Sequence, residues 1–128
     1  MKQRIQTSNA PNALGPYSQA IVTDTLIFCS GQGPIDPATN TLVEGDVTVQ
    51  TERTMKNIEA LLSEMGLDFN DVVKSTCYLK DMDDFKAFND VYGSYLPEPY
   101  PARTTIQAAR LPLDILVEIE VIAQRRKP

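Results

Sequence analysis

Apolar residues recur at helical spacing through Met55, Ile58, Leu61, Leu62 and Met65, with Asp46 available as an N-cap upstream and Gly66 just past the end. This spacing predicts a long helix. From Val72 to Lys80 the period changes to two, with Val73, Ser75, Cys77 and Leu79 on one side and Lys74, Thr76, Tyr78 and Lys80 on the other. Such alternation predicts a strand. Phe85, Phe88, Val91, Tyr92 and Tyr95 then restore the helical period behind Asp81, a capping residue, and Pro97, Pro99 and Pro101 end this second helix. Two more strands are predicted over Arg103 to Ala109 and Ile115 to Arg125. The last of these sets Ile115, Val117, Ile119, Val121 and Ala123 against Glu118 and Glu120. Ahead of the first helix, Ile5 opens a short strand, and Asn9 to Tyr17, with its prolines and asparagines, reads as an ordered loop. Gln19 to Val22 and Thr25 to Ser30 suit a hairpin. Gly31 and Gly33 stop its second strand, and Pro34 to Asn40 is a turn, closed by an asparagine that tolerates left-handed backbone.

This order of elements predicts an α+β fold, residues 1–128 forming one domain with both helices packed on one face of a mixed sheet. Its polar face would present Lys74, Thr76, Tyr78, Glu118 and Glu120, with Arg103, Thr105 and Gln107 aligned at period two on a neighbouring strand. A wet face is ordinary for an antiparallel sheet. Leu116 and Ile122, however, share the face of Glu118, so a second subunit can cover it.

Composition narrows the chemistry chiefly by what is missing. The 128 residues include no histidine and no tryptophan. Histidine triads, imidazole bases and most catalytic zinc sites are thereby excluded. Twelve basic and 17 acidic residues leave a net charge of −5, which argues against a nucleic-acid or anionic-membrane partner. Cys29 and Cys77 each sit in an apolar run and form no CxxC pair, so both are expected in the core. Residues 1–12 are polar, without the apolar segment of a secretory signal, and no apolar run reaches the length of a membrane span, so a cytoplasmic protein is expected.

Arg103, placed after Pro101 and Ala102 at the start of a strand, can present a guanidinium fork to a carboxylate or phosphate; it can equally be a surface arginine or a partner of Glu118. Without histidine, acid-base work falls to Glu118, Glu120, Tyr17, an aspartate or main-chain groups. A glutamate suffices if burial raises its pKa.

Several segments together resemble the reactive intermediate deaminase (Rid) family. They are APNALGPYSQA (10–20), CSGQGPIDPAT (29–39), QTERTMKNIEALL (50–62), VVKSTCYLKDMDDFKAFNDVY (72–92), YPARTTIQAARLP (100–112) and VEIEVIA (117–123). The resemblance implies a chorismate-mutase-like α+β subunit, assembled as a homotrimer with sites in the clefts between subunits. It implies hydrolysis of 2-imino or enamine acids, such as 2-iminobutanoate and 2-iminopropanoate, to 2-keto acids and ammonia, with no metal or cofactor. Carried over by motif, Arg103 would pair with the substrate carboxylate, Glu118 would hold or activate water, and the main-chain carbonyl of Thr105 would orient water or the substrate nitrogen. Tyr17, Ser30, Gly31 and Asn89 would line the cleft. Thr105 stands where many active relatives have cysteine. Two other readings differ in class: a non-catalytic sensor of 2-keto acids using the same clefts, and an endoribonuclease or translation inhibitor, which the acidic, histidine-free composition disfavours.

Overall fold

The computed structural model describes residues 2–126; Met1, Lys127 and Pro128, part of the expected single domain, lie outside the described residues. In chain order the elements are β1 (Gln3–Ile5), β2 (Ala20–Val22), β3 (Leu26–Gln32), β4 (Ile35–Asp36), β5 (Thr41–Leu42), α1 (Val47–Glu64), β6 (Val72–Leu79), α2 (Phe85–Tyr95), β7 (Ala102–Gln107) and β8 (Val117–Gln124). Six strands make one mixed sheet in the order β1-β2-β3-β8-β6-β7, and β4 and β5 form a separate small hairpin. β6 and β7 run parallel because α2 carries the chain back between them; the other neighbours in the sheet are antiparallel.

Both helices cover one sheet face, as the periodicity predicts. Met55, Ile58, Leu61 and Leu62 of α1 and Phe88 of α2 are buried together with Cys29, Cys77, Leu79, Val117, Ile119, Val121 and Ala123. Asp46 caps α1 by accepting a hydrogen bond from the Val49 amide at 3.0 Å, and Gly66 follows with φ 71°, the left-handed exit that glycine adopts freely.

Four local expectations are corrected. Val72, not Val73, takes the covered position, because a register irregularity between Val72 and Lys74 inserts a residue and leaves Val73 exposed. β3 continues through Gly31 to Gln32 across a similar irregularity after Cys29. The stretch from Pro34 contains strand β4, and Asn40 closes its hairpin with φ 56°. Asp81 caps a 3₁₀ turn, Met82–Asp84, rather than α2 itself.

Candidate functional site

Glu118 projects from β8 on the open face, beside Gly31 of β3. The fit leaves no room for a side chain: a Cβ on Gly31 would lie 2.6 Å from Glu118 Oε2. Partial burial, reinforced by the neighbouring charge of Glu120, raises the Glu118 carboxyl above its ordinary pKa, which is the condition for a glutamate to exchange protons nearer neutrality. Next to it opens a cavity of about 310 Å³ whose lining includes Tyr17, Gly31, Glu118, Leu14, Leu113 and Ile115.

The loop bearing Tyr17 is held by a residue that its place at a strand start conceals. Gln19 is buried; its Oε1 accepts from the Thr7 amide at 2.7 Å, and its Nε2 donates to the carbonyls of Pro11 at 2.7 Å and Thr7 at 3.0 Å. The Ser30 hydroxyl donates to the Ser18 carbonyl at 2.5 Å, which ties β3 to the same loop. Behind the cavity, Asn57 of α1 donates to the carbonyls of Gly33 and Ile35, and Gln50 accepts from the Leu116 amide. Two buried amides thus fix the segments that flank Gly31 and Glu118.

Arg103 occupies a second place. Its guanidinium carbon lies 4.9 Å from the Tyr92 ring centre and 5.4 and 5.8 Å from those of Phe85 and Phe88, so α2 supplies an aromatic bed. One amino group donates to Asn89 Oδ1 at 2.7 Å, and the Tyr92 hydroxyl is fixed by Ser75 Oγ at 2.5 Å. Pinned in this way, the planar fork is preorganised for a bidentate carboxylate. Asn89, Tyr92, Tyr100, Pro101 and Arg103 line a cavity of about 350 Å³. Tyr92 reads as simple packing from its helical spacing, and Tyr100, in a proline-rich stretch, gives no periodic signal at all.

Thr105 turns its hydroxyl inward, buried near Cys77, whose thiol burial pushes up to about 11. Its main chain faces the other way. The Ala108 amide donates to the Leu79 carbonyl on β6, so strand alternation directs the N–H and C=O of Arg103, Thr105 and Gln107 to the free edge of the sheet.

The two places do not meet within one chain. Cross-strand register pairs Arg103 with Ser75 and Thr105 with Cys77, on the helix-covered side, whereas Glu118 pairs with Tyr78 on the open side. β6 stands between β7 and β8. The expectation that Arg103, Thr105 and Gln107 share the polar face with Glu118 is therefore corrected, because parallel pairing to β6 puts these three opposite its inward residues. Lys74, Thr104, Tyr78 and Glu120 do meet on the open face, with Lys74 Nζ donating to Thr104 Oγ1 at 3.2 Å and the Tyr78 hydroxyl to Glu120 at 2.6 Å. Among the described residues no group of three or more cysteines or carboxylates is placed to hold a metal ion, and no helix is long and apolar enough to cross a membrane.

A six-stranded mixed sheet with two helices on one face matches known structures closely. RidA from an Antarctic Psychrobacter is 44% identical, with a TM-score of 0.92 over 96% of this chain and 99% of that one. E. coli TdcF with bound serine is 36% identical, with a TM-score of 0.91 over 97% and 99%. A RutC family protein of Pyrococcus horikoshii is 50% identical across 98% of this chain and 99% of its own, and the chloroplastic Reactive Intermediate Deaminase A of Arabidopsis thaliana is 47% identical across 95% and 65%. The family described as Endoribonuclease L-PSP matches residues 7–125. The chain belongs to this family, the Rid or RutC family.

Proposed function

We propose that this chain is a homotrimeric deaminase that hydrolyses reactive 2-imino acids, 2-iminobutanoate and 2-iminopropanoate among them, to 2-oxo acids and ammonia, without metal or cofactor. The observation that carries the reading is the pair of complementary half-sites: a preset guanidinium at one sheet edge and a glutamate of raised pKa on the opposite face. Neither is sufficient alone, and a second copy laid along the open face unites them. The name of the chloroplastic relative supports the reaction, and the serine bound to E. coli TdcF supports a small amino-acid-like ligand.

Arg103 of one copy anchors the substrate carboxylate, and Asn89 holds that arginine. Glu118 of a neighbouring copy takes a proton from water as the water oxygen bonds to C2 and the imine π electrons move to nitrogen. It returns that proton to nitrogen, then takes the proton of the new C2 hydroxyl and passes it to the amino nitrogen as C2=O forms and the C–N bond breaks, so that nitrogen leaves as ammonia. Thr105 C=O, at the exposed edge, accepts from the water or the substrate nitrogen, and Tyr17, Ser30 and Gly31 shape the wall. The demand on the site is small because imines hydrolyse unaided, so positioning and one acid-base group suffice.

An amino-acid oxidase coupled to semicarbazide trapping tests the reading. The protein should lower the trapped imine in proportion to its concentration, and Arg103→Ala should abolish the effect. A wild type that leaves trapping unchanged while binding 2-oxo acids would make the chain a sensor instead.

A further inference from the structure

We propose that Leu113, together with Leu14, is a specificity-determining residue of the Glu118 cavity, forming an apolar lip that favours 2-imino and 2-oxo acids with side chains bulkier than ethyl. The inference rests on the reading of that cavity as the reaction site.

Leu113 is held where a leucine is costly. Its φ and ψ are 56° and 18°, and Asp114 follows at φ 54°, a left-handed pair in a region that favours glycine and asparagine. The turn is over-determined from both sides. Leu111 and Ile115 are buried anchors, the Asp114 amide donates to Leu111 O and the Ile115 amide to Pro112 O, and the Asp114 carboxylate pairs with Lys80 at 2.9 Å. All this holds outward a side chain that is 69% exposed and lends nothing to the core. Strain that brings no packing in return points to a role outside folding.

The position of Leu113 says what that role is. It lines the 310 Å³ cavity with Leu14, itself 83% exposed, and with Ile35, Pro112 and Ile115, while Gly31 and Glu118 supply the reacting end. The lining also carries Asn12, Tyr17, Gln19, Gln32 and Asn40, but Ile35, Pro112, Ile115 and the two leucines give it an apolar stretch that suits a short acid whose carbon chain runs from C2 toward the lip.

The experiment compares the imines of leucine and alanine, both generated by one amino-acid oxidase, and separately titrates 4-methyl-2-oxopentanoate and 2-oxobutanoate into the protein. Wild type should favour the longer member of each pair. Leu113→Asn, which suits the left-handed backbone, should keep or raise the thermal midpoint yet lower the long-to-short ratio about fivefold, less than a closed pocket gives for one methylene. Leu14→Ser should lower the ratio in the same direction. An unchanged ratio in both variants, or no wild-type preference, overturns the lip. Turnover with an unchanged ratio leaves the deaminase reading standing and the lip refuted. Absent turnover with a titration ratio that falls in Leu113→Asn refutes the deaminase and upholds the lip.

Discussion

At Gly31 the missing side chain sets the position of a carboxylate. Gly31→Ala would drive a methyl group into Glu118, so turnover in the trapping assay should fall at least about tenfold while the fold persists, because the displaced group is a flexible side-chain end. Glu118 itself costs stability near neutrality. Its carboxyl is raised above the unfolded value, so the folded protein holds that proton more tightly, and stability falls as pH rises through the interval between the two values. Glu118→Gln should therefore melt at or above the wild-type temperature at pH 7, the difference closing by about pH 3, below the ordinary glutamate pKa, where the carboxyl is protonated in both states, while turnover is lost and 2-oxo acid binding largely kept. Arg103→Lys keeps the charge but loses the fork and the aromatic stacking; KM should rise more than tenfold. The histidine-free sequence narrowed the candidates for this chemistry to a few residue types, while the roles given to Arg103, Thr105 and Glu118 came from the family resemblance and not from spacing. The supports were not legible: Gln19, Gln50 and Asn57 act through hydrogen bonds to distant main chain, and no spacing along the sequence announces them.

Among the elements, both helices were legible because their apolar stripes repeat over several turns and their caps are carried by the right residue types. Asp46→Ala should lower stability by about 1 kcal/mol, seen as a drop of ~4 °C in thermal midpoint. The strands of the six-stranded sheet were found as well, although β4 and β5 were not, and alternation put Lys74, Tyr78, Glu118 and Glu120 on the open face but misplaced Val73 and turned β7 the wrong way. Period-two alternation says which residues share a side and leaves open which side that is. Two register irregularities and one parallel pairing settled the matter, moving Val73 outward and Arg103 to the helix side. A bulge adds one residue without any change of composition, and the direction of a strand is written in its connections rather than in its own residues.

For the whole molecule, the separation of Arg103 from Glu118 makes an arrangement of copies testable by complementation. Arg103→Ala and Glu118→Gln proteins, each inactive, should regain activity when unfolded and refolded together. In a randomly mixed trimer about a quarter of the clefts pair an intact arginine with an intact glutamate. Recovery of no activity, or a monomeric mass by light scattering, would remove the shared cleft. β7 gives this arrangement a further consequence. The strand that offers its carbonyl edge for use is also an unpaired edge, rich in threonine and isoleucine over Thr104–Gln107, with no proline or charge inside that run to blunt it. Wherever a copy stands alone, that edge is a template for pairing with any extended chain. In the proposed homotrimer, a neighbour covering this edge would also guard against aggregation, and a weakened interface should appear first as precipitation rather than as slower turnover.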